Sequence, residues 1–248
     1  MSEPTRRLAV LGDGDSVAAT RSAATAAGAR LVDRSEADAI VAVGEAALRD
    51  AVRAVADGDA SSVPVLPVGA GRHAVGADLA GDWIDTVVEG LGGSAPAFDG
   101  LSRVAHPVLS VDAAGDDRRR FAAADVAFVT GKPARISEYG IEFSNGESVS
   151  VRADGAVVAT PLGSDGYAAA AGGPVVSPGG GLAVVPVAPF TTRPDTWVAT
   201  GGVSVTVKRE EEPVALVVDG TPQGTVEPHR VIRIEVATTV DLLSPTAE

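Results

Sequence analysis

The pattern of apolar residues changes once along this chain, and the change restricts the folds that it can adopt. Over residues 1–95, short apolar runs alternate with helical patterns, as in Leu8–Leu11, the Ala-rich helix predicted over 17–27, and Ala39–Val43. Uninterrupted apolar strands that alternate with helices are typical of a parallel sheet covered on both faces. We therefore predict a doubly wound α/β domain over residues 1–97.

The remainder of the chain follows a different pattern. From about Leu101, β-branched residues dominate, and turn dipeptides such as Asn145-Gly146 and Asp154-Gly155 separate the runs. Short runs joined by such dipeptides predict antiparallel strands. We assign residues 98–248 to a mostly antiparallel, β-rich domain whose last strands are able to return toward the first domain. The Gly/Pro-containing stretch Gly92–Ala97 is the predicted linker.

Composition excludes several classes of protein. The chain has 248 residues, no cysteine and a formal net charge of −13. The lack of cysteine excludes disulfides, thiolate metal sites and a cysteine nucleophile. A nucleic-acid-binding surface needs basic residues, so the acidic balance argues against nucleic acid as a partner. No apolar run approaches the ~20 residues that span a bilayer, and the N-terminus lacks a signal-peptide pattern, so we expect a cytoplasmic protein without a membrane partner.

The acidic residues are of a particular kind. The sequence has 20 Asp and 13 Glu, against 18 Arg and only 2 Lys, and both halves of the chain are acidic. An even acidic coat over small apolar residues resembles the proteins of salt-loving cells, in which charge maintains solubility when salt screens it. Ordinary acidic solubility is the alternative interpretation.

One segment is unusual. It begins at Asp154-Gly155, continues through a strand into Thr160-Pro161-Leu162-Gly163-Ser164 and the residue Tyr167, and ends at Gly172-Gly173-Pro174. This segment resembles the TPTGSTAY…AGGP signature of the NAD kinase family. The resemblance extends from about Ala39 to about Leu243, and that family combines an N-terminal α/β domain with a C-terminal β domain.

The resemblance implies an activity and its cofactors. NAD kinases transfer a phosphoryl group to the 2′-hydroxyl of the adenosine ribose of NAD and so produce NADP. It implies NAD as the substrate, ATP or polyphosphate as the donor, Mg²⁺ or another divalent cation, and a homodimer or homotetramer. Phosphoryl transfer depends on backbone amides around the phosphates, the cation, and a carboxylate near the accepting hydroxyl. We found no residues with metal-ligand spacing, so no protein ligand to a metal is predicted.

The loop that resembles the family's GGDG segment departs from that pattern. The matching residues start at Val43-Gly44 and continue with Glu45 in the place of the catalytic Asp and Ala46 in the place of a Gly. Glu45 retains the carboxylate but carries an additional methylene, and a shift of about 1 Å in a catalytic group can reduce a rate about 100-fold. Gly44 and Ala46 are the predicted nucleotide-binding residues beside it. The alternative is that Glu45 is an acidic first-turn residue that interacts with a helix dipole.

The resemblance also assigns residues to the dinucleotide. The family's Asn-acid pair corresponds to Ala124-Asp125, which retains the acid and loses the amide. The predicted dinucleotide-binding residues in this half of the chain are Asp125, Arg135, Arg152, Asp154, Asp165, Gly166, Tyr167 and Thr221.

Three hypotheses are therefore open. The chain is an NAD kinase, or a catalytically inactive relative that binds NAD(P) as a sensor or regulatory subunit, or a protein that retains the Thr-Pro-x-Gly-Ser segment only for folding. The altered GGDG-like loop favours the second hypothesis, and the Thr-Pro-x-Gly-Ser segment is compatible with all three. The glycine-rich loop Gly12–Ser16 is a further anion-site candidate, although a solvated acidic turn is the simpler interpretation.

The even charge predicts a dependence on salt. Acidic residues repel one another at low ionic strength, and salt screens that repulsion within about 10 Å at 0.1 M. We expect the circular dichroism spectrum to lose structure below about 0.5 M KCl, a value set by the order of the screening length. A melting temperature that does not change between low and high KCl would contradict this prediction.

Overall fold

The computed structural model describes residues 6–58, 63–92, 97–113, 116, 118–132, 135–210 and 212–246. The chain divides into two compact units, Met1–Ala105 with Val240–Glu248, and His106–Thr239. The sequence-based boundary between residues 97 and 98 stays a prediction, and most of the predicted linker lies outside the described residues.

The first unit alternates strands and helices. In chain order, these elements are β1 (Arg7–Leu11), α1 (Asp15–Ala26), β2 (Arg30–Leu31), β3 (Ala39–Val43), α2 (Glu45–Asp57), β4 (Val65–Val68) and α3 (Ala80–Gly90). The strands pair in parallel in the order β2-β1-β3-β4. This is the predicted arrangement. Each strand is a short apolar run, and each helix brings the chain back to the end of the sheet at which the next parallel strand begins.

The two faces of this parallel sheet pack against different helices. On one face, Ile84 of α3 and Val17 of α1 belong to the same buried cluster as Leu8 and Val41. The helix α2 contacts β3 and β4 through a separate apolar side that includes the fully buried Val52. Helices on both faces confirm the doubly wound α/β prediction.

The second unit consists mainly of antiparallel strands. Its elements are β5 (Leu101–Ala113, which begins in the first unit), β6 (Phe121–Ala122), β7 (Asp125–Thr130), β8 (Ser137–Phe143), β9 (Ser148–Ala153), β10 (Gly155–Ala159), α4 (Tyr167–Ala170), β11 (Leu182–Val187), β12 (Trp197–Ala199), β13 (Val203–Arg209), β14 (Val214–Val218), β15 (Thr221–Val226) and β16 (Val231–Pro245, which ends in the first unit). One sheet has the order β12-β11-β10-β7-β14-β15, and a second includes the path β16-β13-β8-β9. The antiparallel β-rich prediction is confirmed.

The core of the second unit lies between these two sheets. Phe128 and Val158 project into it from the first sheet, and Tyr139, Ile141 and Val205 from the second. Alternation along each strand places these residues inward, since successive side chains point to opposite faces.

The register of three central strands, β7, β10 and β14, determines which chain segments meet at the candidate site. Asp125, the first residue of β7, pairs with Ala159 at the end of β10, and Val126 pairs with Val218 at the end of β14. The segments that begin at Thr160 and Asp219 therefore leave the sheet beside the start of β7. Antiparallel pairing in this register brings three chain segments that are distant in sequence to one end of one sheet.

No helix within the described ranges is both long and apolar enough to cross a membrane.

Candidate functional site

A buried carboxylate fixes the start of β7. Asp219 lies in the turn between β14 and β15 with a φ of 48° and is only 6% exposed. Its carboxylate accepts hydrogen bonds from the backbone amides of Ala123 at 2.9 Å, Ala124 at 2.8 Å and Asp125 at 3.2 Å. Its own amide donates to the carbonyl of Asp125 at 2.9 Å. A carboxylate that accepts several amide hydrogen bonds holds the backbone strongly, because charge-assisted bonds are about twice as strong as neutral ones.

The carbonyl groups of Ala123 and Ala124 also have hydrogen-bond partners, which are supplied by Thr160 and His106. The Thr160 hydroxyl donates to the carbonyl of Ala123 at 2.8 Å, and the Thr160 amide donates to the carbonyl of Ala124 at 2.8 Å. The buried His106 ring places Nε2 at 2.7 Å from the Ala123 carbonyl. The backbone that carries Asp125 thus has partners for both its amides and its carbonyls.

The Thr-Pro-x-Gly-Ser turn uses its polar atoms internally. The fully buried Ser164 donates its hydroxyl to the Pro161 carbonyl at 2.9 Å and accepts the amide of Val176 at 2.9 Å. A Cβ at Gly163 would collide with the Ala124 carbonyl, so only glycine allows this approach. Thr160, Gly163 and Ser164 therefore build the turn, and the Ser164 hydroxyl is committed to structure.

The turn leads into Tyr167, which lies within electrostatic range of two carboxylates. Partial burial raises the pKa of Tyr167, and the negative charges of Asp125 and then Asp154 raise it further. Asp154 is half-buried, and its main chain is tied down, since its carbonyl accepts the Thr130 amide at 3.1 Å and its amide donates to the Val187 carbonyl at 3.0 Å. The structure thus brings together Asp125, Asp154 and Tyr167.

Sequence reasoning missed Tyr139. Burial raises the pKa of this fully buried tyrosine, and the charges of Asp154 and Tyr167 contribute in the same direction. Its hydroxyl, Ser137 Oγ and Glu210 Oε2 are buried without a hydrogen-bond partner among the described residues. In the sequence, Tyr139 stands in an ordinary strand pattern that is typical of core, so no local signal marks it.

The chemistry of this cluster suits the neutral part of a nucleoside. Carboxylates accept hydrogen bonds from ribose hydroxyls and from ring or amide N–H groups, and a tyrosine hydroxyl both donates and accepts. Asp125 and Asp154 would repel a phosphate unless a cation stood between them. The cluster therefore fits a sugar or base better than a phosphate.

The other predicted binding residues of this unit lie at its surface. Asp165 and Gly166 directly precede Tyr167 and are exposed, and Thr221 is the exposed first residue of β15. Arg152 places its guanidinium over the ring of Phe190, 5.5 Å from the ring centroid. Arg135 is exposed ahead of β8, and the two residues before it are outside the described ranges.

The GGDG-like loop belongs to the first unit. Gly44 has a φ of 88° and precedes α2, whose first residue is Glu45. The Glu45 carboxylate is exposed and forms an ion pair with Arg49, one turn later on the same helix. Ala46 is also exposed. This geometry is that of an acidic first-turn residue at a helix N-terminus.

Comparison with known proteins extends these observations. Residues 123–242 match the family model of the ATP-NAD kinase C-terminal domain. The second half of the chain therefore matches the C-terminal domain of the NAD kinase family. The match begins at Ala123, which is the segment that Asp219 and Thr160 hold.

Relatives and solved structures show how far the similarity reaches. An NAD kinase of Methanosarcina mazei is 32% identical over 114 residues, which are 45% of this chain and 39% of that protein. An NAD kinase of Pyrococcus abyssi is 39% identical over 128 residues, which are 49% and 44% of the two chains. These alignments thus span about two fifths of each relative's length.

The similarity of fold covers nearly the whole chain. The crystal structure of yeast NADH kinase complexed with NADH matches with a TM-score of 0.75 and 16% identity, covering 98% of this chain and 84% of that one. An NAD kinase from Archaeoglobus fulgidus in complex with ATP matches with a TM-score of 0.69 and 22% identity, covering 96% and 93%. At these identities, the similarity shows that the fold is shared.

The Asp219 geometry predicts a graded loss of stability. Asp219→Ala removes the acceptor of three buried amides, and each unsatisfied buried group costs about 1–3 kcal/mol, so we expect a loss of at least about 3 kcal/mol. Asp219→Asn retains one acceptor oxygen and tolerates the positive φ, so it is expected to lose less. Urea unfolding at constant salt measures both. Equal stability of Asp219→Ala and the wild type would contradict this role.

Proposed function

We propose that this chain binds NAD and transfers a phosphoryl group to the 2′-hydroxyl of its adenosine ribose. The observation that carries the proposal is the grouping of Asp125, Asp154 and Tyr167 on a turn whose own polar atoms are used internally. The match of residues 123–242 to the ATP-NAD kinase C-terminal domain supports the same activity. Yeast NADH kinase, which shares the fold, binds NADH in its crystal structure.

In this proposal, the cluster binds the nucleoside part of the dinucleotide. The Asp125 and Asp154 carboxylates accept hydrogen bonds from hydroxyl or amine groups, and the exposed ring of Tyr167 offers a face for stacking. Asp165, Gly166 and Thr221 are proposed to border this surface, and Arg135 is proposed as the cation for the phosphate oxygens. The family's amide is replaced by Ala124, so this chain makes one fewer hydrogen bond at that position.

The donor is proposed to be ATP or polyphosphate with a divalent cation. The fold is shared with an Archaeoglobus fulgidus NAD kinase that is described in complex with ATP. No three carboxylate or histidine side chains among the described residues are grouped so as to hold a metal ion. Mg²⁺ commonly takes one or two carboxylates and completes its ligands with substrate phosphates and water, so the cation would enter with the donor.

Glu45 is the proposed carboxylate for the accepting hydroxyl, with the Gly44 and Ala46 backbone next to the phosphates. Gly44 provides the positive φ that opens the N-terminus of α2. Amides at a helix N-terminus favour anions, so a phosphate would be stabilised there.

A second candidate function has a specific observation in its favour. The Glu45 carboxylate is already paired with Arg49 on the same helix, so it would have to leave that partner to reach an accepting hydroxyl. The family's flanking glycines are Val43 and Ala46 here, and both disfavour a positive φ. A catalytically inactive relative that binds NAD(P) as a sensor or regulatory subunit is consistent with this geometry.

A homodimer or homotetramer, cytoplasmic residence and adaptation to high salt complete the proposal. The acidic composition supports the last of these.

Binding is tested at Asp154. Asp154→Ala removes a charged acceptor, while the backbone amide and carbonyl that anchor this residue remain, so the fold is expected to survive. We expect an affinity for NAD or NADP that is lower by about 1.5–3 kcal/mol in titration calorimetry. Glu147→Ala, which removes the same charge from an exposed hairpin turn, is the matched control and is expected to bind as the wild type does. If the wild type binds neither dinucleotide, both nucleotide hypotheses fail.

Catalysis is tested at Glu45. If Glu45 acts on the hydroxyl proton, Glu45→Gln abolishes NADP formation from NAD, ATP and Mg²⁺ and leaves NAD affinity nearly unchanged, because the carboxylate acts in the transition state. Asp50→Asn is the control, since Asp50 is an exposed, ion-paired acid of the same helix.

The inactive relative predicts a different result. The wild type would then bind NAD without turnover. The combined change of Val43→Gly, Glu45→Asp and Ala46→Gly is expected to create some activity, because the glycines let backbone amides approach the phosphates and the shorter Asp moves the carboxylate to the position it has in the GGDG pattern. Strong wild-type turnover that survives Glu45→Gln would contradict both versions.

A further inference from the structure

The second unit contains a pocket whose lining does not include the residues of the Asp125–Asp154–Tyr167 cluster. It has a volume of about 500 Å³, which lies within the range of small-molecule sites. Its wall combines two aromatic rings, Phe190 and Trp197, with the charged residues Arg152, Arg193 and Asp195. We name it the Arg193 pocket. Neither Asp125, Asp154 nor Tyr167 lines it.

The net charge of the Arg193 pocket is opposite in sign to that of the chain. Two arginines and one aspartate give its lining a net positive charge, in a protein whose formal net charge is −13. Neither the Arg152 nor the Arg193 guanidinium forms an ion pair with a described residue, whereas Arg7, Arg103 and Arg120 are paired with aspartates. Two guanidinium groups that line one pocket and form no ion pair with a described acidic residue favour a ligand that carries a phosphate, because the guanidinium fork matches phosphate oxygens.

The aromatic wall favours a planar group beside that phosphate. The chain has only nine aromatic residues, and two of them line this pocket. Phe190 is 68% exposed, which is the highest value among the large apolar side chains described. The ring of Trp197 packs against the ring of Phe143, with centroids 6.0 Å apart. A base stacked on an aromatic ring gains about 1–3 kcal/mol in proteins that bind single strands, so an exposed ring at a cationic site is a suitable stacking surface.

Prolines and hydrogen bonds restrict the backbone that forms the wall of the Arg193 pocket. Pro186, Pro189 and Pro194 line it, and each fixes the backbone φ of its position. The Phe190 amide donates to the Arg152 carbonyl at 2.7 Å, which ties the loop to the edge strand β9. The Arg193 amide donates to the Thr191 hydroxyl at 3.3 Å, which holds the turn before the second arginine. A site whose groups are held in place before binding loses less entropy when a ligand arrives.

We propose that the Arg193 pocket is a second nucleotide site, which binds a nucleoside monophosphate-type group with its base on Phe190 and Trp197 and its phosphate on Arg152 and Arg193. Asp195 is placed to accept a hydrogen bond from a ribose hydroxyl or a base amine. This assignment moves Arg152 from the predicted dinucleotide contacts to a different pocket. It does not depend on phosphoryl transfer, so it stands whether or not the chain is catalytic.

Tryptophan fluorescence reports directly on this pocket. The chain has two tryptophans, and Trp83→Phe leaves Trp197 as the only one. In that background, titration with AMP at a salt concentration that keeps the protein folded is expected to change Trp197 emission in a saturable way. Adenosine and inorganic phosphate each supply half of the recognition, so each is expected to bind at least about tenfold more weakly than AMP.

Variants locate the site. Arg193→Ala and Phe190→Ala alter exposed side chains and are each expected to weaken AMP binding about tenfold. Arg233→Ala, an exposed arginine of β16 outside the pocket, and Tyr167→Ala are expected to leave it unchanged. The proposal is overturned by the absence of a saturable signal, by an affinity for inorganic phosphate or for adenosine that equals that for AMP, or by a signal that Tyr167→Ala removes and Arg193→Ala does not.

Discussion

The carboxylate of Asp219 is the interaction on which the candidate binding cluster depends. It accepts hydrogen bonds from three successive amides at the start of β7, a place where strand pairing has not yet begun to satisfy them. Buried amides without partners are costly, so this end of the sheet needs an acceptor that reaches several donors at once. Only a carboxylate offers two oxygens with this capacity, and the left-handed turn at Asp219 aims it back over the sheet. That arrangement fixes the backbone position of Asp125 and allows Thr160 to bond to the carbonyl of Ala123.

The sequence predicted most of the secondary structure because the signals are local. The strand Ala39–Val43 has the predicted bounds, and the helix that follows starts at the predicted Glu45. Apolar runs and glycine ends are properties of neighbouring residues, so they survive without knowledge of the tertiary structure. The resemblance to a family also led to Asp125, Asp154 and Tyr167, which the structure brings together.

Other features depend on contacts that no local pattern encodes. Tyr139 reads as a core residue of β8, and only the pairing of distant strands places its hydroxyl near Asp154. The Arg193 pocket combines residues of β9 with the loop after β11 and with β12, so it exists only after two edges of the fold have formed. Glu45 is a different case, because its position was predicted and its partner was not. The ion pair with Arg49 forms across one helical turn, a spacing that the sequence contains, and such i,i+4 pairs compete for a carboxylate that catalysis would require.

The motif that carries the family resemblance is, in physical terms, a device for making a turn. Thr160 and Ser164 satisfy backbone groups, and Gly163 permits contact with the Ala124 carbonyl. The hydroxyls of Thr160 and Ser164 are used in these hydrogen bonds and Gly163 has no side chain, so the three residues specify the geometry of the site and leave its chemistry open. The groups that would do chemistry lie elsewhere, at Glu45 in the first unit and at the carboxylates beside Tyr167 in the second. A match to this motif is therefore strong evidence for the fold, whereas the proposed phosphoryl transfer depends on the loop before α2, where this chain departs from the GGDG pattern.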